Sequence, residues 1–201
     1  SIEHFRKTVM LGRKMFPKRI RKDLFWSDHN TRPYMRGLRN LGLALIRSEA
    51  YDEALVICDT LEKECNDDVS AASHRAAVFL NTKKWSKAEE SALKILNIAP
   101  MMALIAAFSQ FEEGKLLDAR TNFLFAALNN PLGIEIMIKG RARKPRDPLE
   151  AASYNYGIEM RATLGPYLSR RSSRSRAFFS SLLAHAEVSD LIEEVLTCAD
   201  L

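Results

Sequence analysis

The chain is short of cysteine, of glycine and of long apolar runs, and each shortage excludes a class of protein. Cys58, Cys65 and Cys198 are the three cysteines in 201 residues, and no CxxC pair occurs. That leaves neither a disulfide framework nor zinc-ligand spacing, and it points to a reducing, cytoplasmic compartment. Eight glycines, none in GxxxxGK or GxGxxG order, leave no loop to cradle a phosphate. The densest apolar stretch, APMMALIAAFSQF at 99–111, is shorter than the ~18–20 residues that cross a bilayer, so no membrane insertion is expected. Charges interrupt SIEHFRKTVMLGRKMF at 1–16, so this stretch does not read as a signal peptide. Beginning at Ser1 rather than Met, the sequence reads as a piece of a longer protein. No strand-like alternation of apolar and polar residues is found, and the chain reads as all-α.

What is present begins with charge. The formal net charge is +5, and it is unevenly placed. Residues 139–176 carry ten Lys or Arg against Asp147, Glu150 and Glu159, a local +7 that leaves the rest at −2. Any electrostatic function therefore belongs to one segment.

The second feature is an internal period. The step from Ala54 to Ala88 equals that from Tyr51 to Trp85, a period of about 34 residues, and Ala119 follows Ala88 after a slightly shorter step. Each of the three units reads as two amphipathic helices joined by a polar break. Leu38, Leu41, Ala44 and Leu45 form the apolar stripe of the first helix at i, i+3, i+4 spacing. In the breaks RSEAYDEA and WSKAEE, Asp52 is placed to cap the following helix, and Ser86 with Glu89 has capping-box spacing. Gly42, Ala54, Ala76, Ala88 and Ala119 fall where paired helices must approach closely, and Pro100 and Pro131 end the second helix of a unit.

This pattern resembles the tetratricopeptide repeat. It implies an α-α superhelix of about three repeats with helical flanks: a cap over residues 1–32, three hairpins over 33–131, and a basic linker with carboxy-terminal helices over 132–201. Asp147, Pro148 and Glu150 predict a helix start. The segment after it reads as one helix or as two around Gly157, SRRSSRSR as a solvated linker, and AFFSSLLAHA and SDLIEEVLTCAD as two last helices.

A narrower resemblance rests on FWSDHNTRPYMRGLRNLGLAL at 25–45, EKECNDDVSAASHR at 62–75 and FAALNNPLGIEIMIKGRARKP at 125–145. These are similar to segments of a tetratricopeptide group that spans bacterial proteins and the suppression of tumorigenicity seven family of eukaryotes. Cys65 stands where that group has Asn-Pro before the turn, and the Arg/Ser stretch has no counterpart in it. The resemblance covers about residues 5 to 147 and implies an interaction scaffold without an assigned reaction.

Motifs of chemistry are weak by comparison. His4, His29, His74 and His185 are scattered without HExxH spacing, and Asp28, His29 and Asn30 read as loop residues that cap the next helix. SALK at 91–94 matches SxxK without its companion motifs and falls inside a repeat helix. Cys58 and Cys65, two turns apart, suit packed thiols better than a redox pair. The expectation is a non-enzymatic protein with no cofactor and no metal.

Two binding surfaces remain. In the repeat family ligands lie in the groove lined by the first helix of each hairpin. By phase those positions are Arg36, Arg39, Asn40 and Leu43, then Ser73, His74, Ala77 and Leu80, then Leu104, Phe108 and Phe111. Such a groove runs from basic to apolar and suits a protein or peptide with an acidic and a hydrophobic end, or a second copy in a homodimer. Alternatively the carboxy-terminal helices cover its apolar end. The competing surface is electrostatic: Lys139, Arg141, Arg143, Lys144, Arg146, Arg170, Arg171, Arg174 and Arg176 binding nucleic acid. No aromatic is interleaved with these cations, which weighs against sequence-tolerant single-strand binding. Phosphorylation within residues 170–173 would weaken any such contact.

Overall fold

The computed structural model describes residues 2–170 and 173–198, and every regular element among them is helical. Two compact units divide the chain at Val78, inside one helix: Ser1–Val78 and Phe79–Leu201.

The first unit holds α1 (Ile2–Lys14), a 3₁₀ turn (Lys22–Leu24), α2 (Arg32–Arg47), α3 (Tyr51–Asp59) prolonged by a π-turn (Thr60–Glu64), and most of α4 (Asp68–Asn81). Small residues set its close approaches: a Cβ on Gly12 would meet the Tyr34 backbone nitrogen at 2.6 Å, and Gly37 faces Val9. Phe16 then stands edge-on to Phe25 and Tyr34, with centroids 5.0 and 5.1 Å away, over a core of Met35, Leu38, Cys58, Leu61 and Cys65. The segment before α2 is a fastener. Trp26 Nε1 donates to Asp67 Oδ2 at 2.9 Å, while Asp67 Oδ1 accepts from the Ser70 amide at 3.0 Å and so holds the first turn of α4. Asp28 accepts from the Asn30 amide at 2.7 Å, and Thr31 Oγ1 donates to the Phe25 carbonyl at 2.6 Å. Asp28, His29 and Asn30 thus build a turn; contrary to the sequence expectation they do not cap α2, whose start is set by Pro33 in its first turn.

One turn geometry recurs along the chain. Glu49, Lys83 and Gly114 have positive φ (60°, 65° and 78°) at the ends of α2, α4 and α6 (Ala103–Glu112). The next amide in each case reaches back five residues: Ala50 to the Leu45 carbonyl at 2.9 Å, Lys84 to Phe79 at 2.8 Å, Lys115 to Gln110 at 2.9 Å. This is a Schellman turn, and it satisfies carbonyls that the helix end leaves open. The second helix of each pair, α3, α5 (Trp85–Leu93) or α7 (Leu116–Asn129), begins two residues after the left-handed one. None of the three has a side-chain cap. Asp52 and Ser86 are therefore not caps; Glu89 accepts instead from Gln110 Nε2 and Lys115 Nζ, both at 2.8 Å.

In the second unit α5 is followed by irregular turns, a 3₁₀ turn (Pro100–Met102), α6, α7, α8 (Pro131–Lys139), α9 (Pro148–Thr163), α10 (Gly165–Arg170), α11 (Ser173–Leu183) and α12 (Ala186–Cys198). Pro100 and Pro131 open the next helical element; α5 itself ends earlier, at Leu93. Asp147 accepts from the Glu150 amide at 2.8 Å, the predicted start of α9. The break in the segment that follows falls at Leu164, not at Gly157, which lies inside α9 where a Cβ would sit 2.6 Å from the Gly133 Cα. Asn81 spans that break, donating to the Thr163 carbonyl at 3.0 Å and accepting from the Tyr167 amide at 3.1 Å. The stretch read as a linker is largely helical: α10 runs to Arg170 and α11 starts at Ser173, with Ser175 buried and 3.0 Å from the Tyr167 hydroxyl. Residues 171 and 172 lie outside the described part. No helix among the described residues is long and apolar enough to cross a membrane.

Candidate interaction surfaces

The groove positions divide between surface and core. On α2, Arg36, Arg39 and Asn40 are exposed and Leu43 is half-buried; on α4, Ser73 is half-buried. His74, Ala77 and Leu80 are buried. His74 sits where α4 crosses α2, its Nδ1 2.6 Å from the Ser70 carbonyl and its Nε2 2.9 Å from the Arg39 carbonyl. Gly42 makes room for the ring, since a Cβ there would lie 2.5 Å from His74 Cδ2. Burial pulls the imidazole pKa below its ordinary value, and it outweighs the two carbonyls, which favour protonation. The ring is a helix spacer and is not presented to a ligand.

In the second unit Leu104 and Phe108 are fully enclosed and Phe111 is half-buried. Phe108 and Phe111 are covered by α11. Phe179 stacks on Phe123 at 4.5 Å and meets Phe108 and Phe111 at 5.4 and 5.9 Å, while Phe178 lies 5.1 Å from Phe111. Tyr167 closes on Phe108 at 5.2 Å and on Trp85 at 6.0 Å. Each such pair contributes about 0.5–1.5 kcal/mol beyond the area it buries. The apolar end of the expected groove is therefore occupied by this chain's own helix, and Leu104 and Phe108 offer no surface to a partner.

The basic segment is partly neutralised. Glu150 takes a two-pronged contact from Arg143, the Arg146 amide at 2.7 Å and Arg146 Nη2 at 3.0 Å. Arg143 is the largest cause holding this carboxyl well below the usual glutamate range. Lys139 pairs with Glu135 at 3.1 Å, and Arg161 donates to the Ile136 and Met137 carbonyls at the end of α8. Arg141, Lys144 and Arg174 are exposed; Arg176 is half-buried with Nε enclosed. Arg171 and the side chain of Arg170 lie outside the described part. The nine cations are thus not one open surface.

Cys58 and Cys65 are both buried, and burial pushes each thiol up to about 12, so neither forms a thiolate near neutrality. Ser91 lies in α5 and Lys94 directly after it. Among the described residues no three His, Cys, Asp or Glu side chains converge as a metal site requires.

Two surfaces escaped the sequence reading. One is a cleft of about 400 Å³, lined by Met101, Leu128, Leu132, Leu149, Tyr156 and Leu196 among others; Leu149, 71% exposed beside Pro148, was a visible signal for it. The other is the outer face of α1, where Met10, Leu11 and Met15 stand exposed among lysines. A charge count confined to α1 and the turn after it reveals this face. Comparison of the chain with protein-family models, with curated proteins and with solved structures finds no match in any of the three.

Proposed function

We propose that the chain is a non-enzymatic helical-repeat scaffold of the tetratricopeptide kind, akin to the suppression of tumorigenicity seven group, that binds another protein in an intracellular compartment. The observation that carries this reading is the triple Schellman turn at Glu49, Lys83 and Gly114, recurring at nearly equal steps and followed each time by a second helix after the same short interval. A repeated hairpin with one turn geometry is how a solenoid is built, and solenoids serve chiefly as binding surfaces.

Within the first unit the open groove positions, Arg36, Arg39, Asn40, Leu43 and Ser73, select an acidic segment as ligand. The electrostatic nucleic-acid alternative is weakened by the Glu150 clamp on Arg143 and Arg146. The test is affinity capture at about 50 and 200 mM salt, a range over which multi-phosphate contacts lose most of their affinity. The scaffold reading expects a protein that stays bound at the higher salt and is lost with Arg36→Glu/Arg39→Glu. Capture of nucleic acid at low salt alone, abolished by Arg141→Ser/Lys144→Ser/Arg174→Ser, would replace it.

A further inference from the structure

We infer that the outer face of α1 and the turn after it form a docking surface for an anionic lipid bilayer, on which this chain lies without crossing it. Residues 1–24 hold eight Lys or Arg against Glu3 and Asp23. Half of those cations are used internally: Arg6 pairs with Glu3 and Glu53, Arg13 with Glu64, Arg21 with Asp23, and Lys22 donates to the Lys63 carbonyl. Lys7, Lys14, Lys18 and Arg19 have no acidic partner among the described residues and are exposed.

Interleaved with them are Met10 (53% exposed), Leu11 (46%), Met15 (51%) and Leu24 (45%). The helix is fixed the other way round by Val9 and Gly12, which face α2. At 100° per residue Lys7, Leu11 and Lys14 then point away from that contact, with Met10 and Met15 to either side. Pro17, Ile20 and Leu24 continue the mixture, lining a depression of about 470 Å³ together with Arg19, Arg21 and one acid, Asp28.

A face of this kind matches a membrane interface in both respects. Lys and Arg reach phosphate-bearing headgroups while the flexible Met and Leu side chains sink to the acyl boundary. Nucleic acid fits it less well, because stacking on bases needs exposed aromatics, and Phe5 and Phe16 are half-buried, Phe16 against Phe25 and Tyr34. The inference is independent of the scaffold reading, which uses α2 and α4.

The experiment is co-sedimentation of the full chain with vesicles of phosphatidylcholine alone and with about one third phosphatidylserine, at about 0.1 M salt where surface charge still acts over ~10 Å. Lys7→Glu/Lys14→Glu/Lys18→Glu and Met10→Ser/Leu11→Ser/Met15→Ser are compared after thermal unfolding has shown that each folds like the parent; all six positions are exposed. The parent is expected to pellet with the anionic vesicles and not with the neutral ones. The charge-reversed variant should lose this, and the serine variant should bind at least about tenfold more weakly, a floor set by only shallow burial of the three side chains. Absence of pelleting, equal pelleting on neutral vesicles, or binding unaffected by the serine changes and matched by RNA would each overturn the inference, the last in favour of a nucleic-acid surface.

Discussion

Glu49 and Lys83, at matching places after α2 and α4, share one left-handed backbone conformation, with φ of 60° and 65°. A third such site has glycine, Gly114, and there the conformation costs nothing. The charged residues at the first two carry a strain of roughly 1–2 kcal/mol each. Lys83→Gly is expected to stabilise the chain by about 1 kcal/mol, a Tm rise of roughly 2–4 °C for a domain of this size. Gly114→Ala should cost about as much, through backbone strain alone, because a Cβ there meets nothing within 4 Å. Calorimetry of the two variants checks both signs.

Gly157→Ala places a methyl 2.6 Å from the Gly133 Cα, where the obstacle is backbone that cannot rotate away. The expected loss is in the upper part of the roughly 1–3 kcal/mol range of overpacking, or beyond it. Gly165→Ala, with open space around it, should stay within about 0.5 kcal/mol. Equal denaturation midpoints for the two would show that α8 and α9 do not cross as closely as described.

Phe179→Ala removes the ring that joins α11 to Phe108, Phe111 and Phe123. A loss of about 3–5 kcal/mol is expected, together with faster proteolysis between residues 165 and 185 than at α6. Hydrogen exchange that slowed or stayed unchanged in α11 would contradict this.

The Glu150 carboxyl titrates below its ordinary value of 4.5 in the folded chain. Its stabilising pairing is therefore complete above about pH 4.5 and is lost progressively as the pH falls through the folded value, because protonation removes the charge that Arg143 and Arg146 hold. The stability gap between the parent and Glu150→Gln, read by urea titration, should be widest near about pH 6 and narrow toward about pH 3. A gap that widened with acid would refute the clamp.

In a Cys198→Ser background the two remaining thiols should resist a disulfide reagent at about pH 8, since both are buried with pKa values near 12. Denaturant should release two equivalents. Rapid labelling of the folded variant would contradict the packing of α3 against α2.

The paired helices were legible because their spacing is local: the recurrence of Tyr51 and Trp85, the small residues Ala54, Ala88 and Ala119, now at 0% exposure, and the Asp147 cap each act within a few residues of their own position. The turns that join them were misread, because the left-handed sites at Glu49 and Lys83 carry charged residues and the nearby Asp52 and Ser86 look like caps. The filled groove was legible only as an alternative, cover by the carboxy-terminal helices, and the covering helix and its contacts were not. AFFSSLLAHA announces a helix with an apolar face, but its partners Phe108 and Phe123 lie far back in the sequence, on α6 and α7, and periodicity says nothing about which face it meets. Arg143 and Glu150 show the converse error, in which counting charges overlooks how they pair.

The π-turn at Thr60–Glu64 holds one residue more than an ordinary helical turn. Chain length is therefore negotiable at that point. Loss of one codon within 60–64 would convert the wide turn to a regular one and leave both ends of the helix facing as before, whereas the same loss within α2 would swing everything after it by about 100°. A single-residue deletion scan along α3 should therefore find its best-tolerated position at an exposed residue of that turn and not at Leu61, which is fully buried.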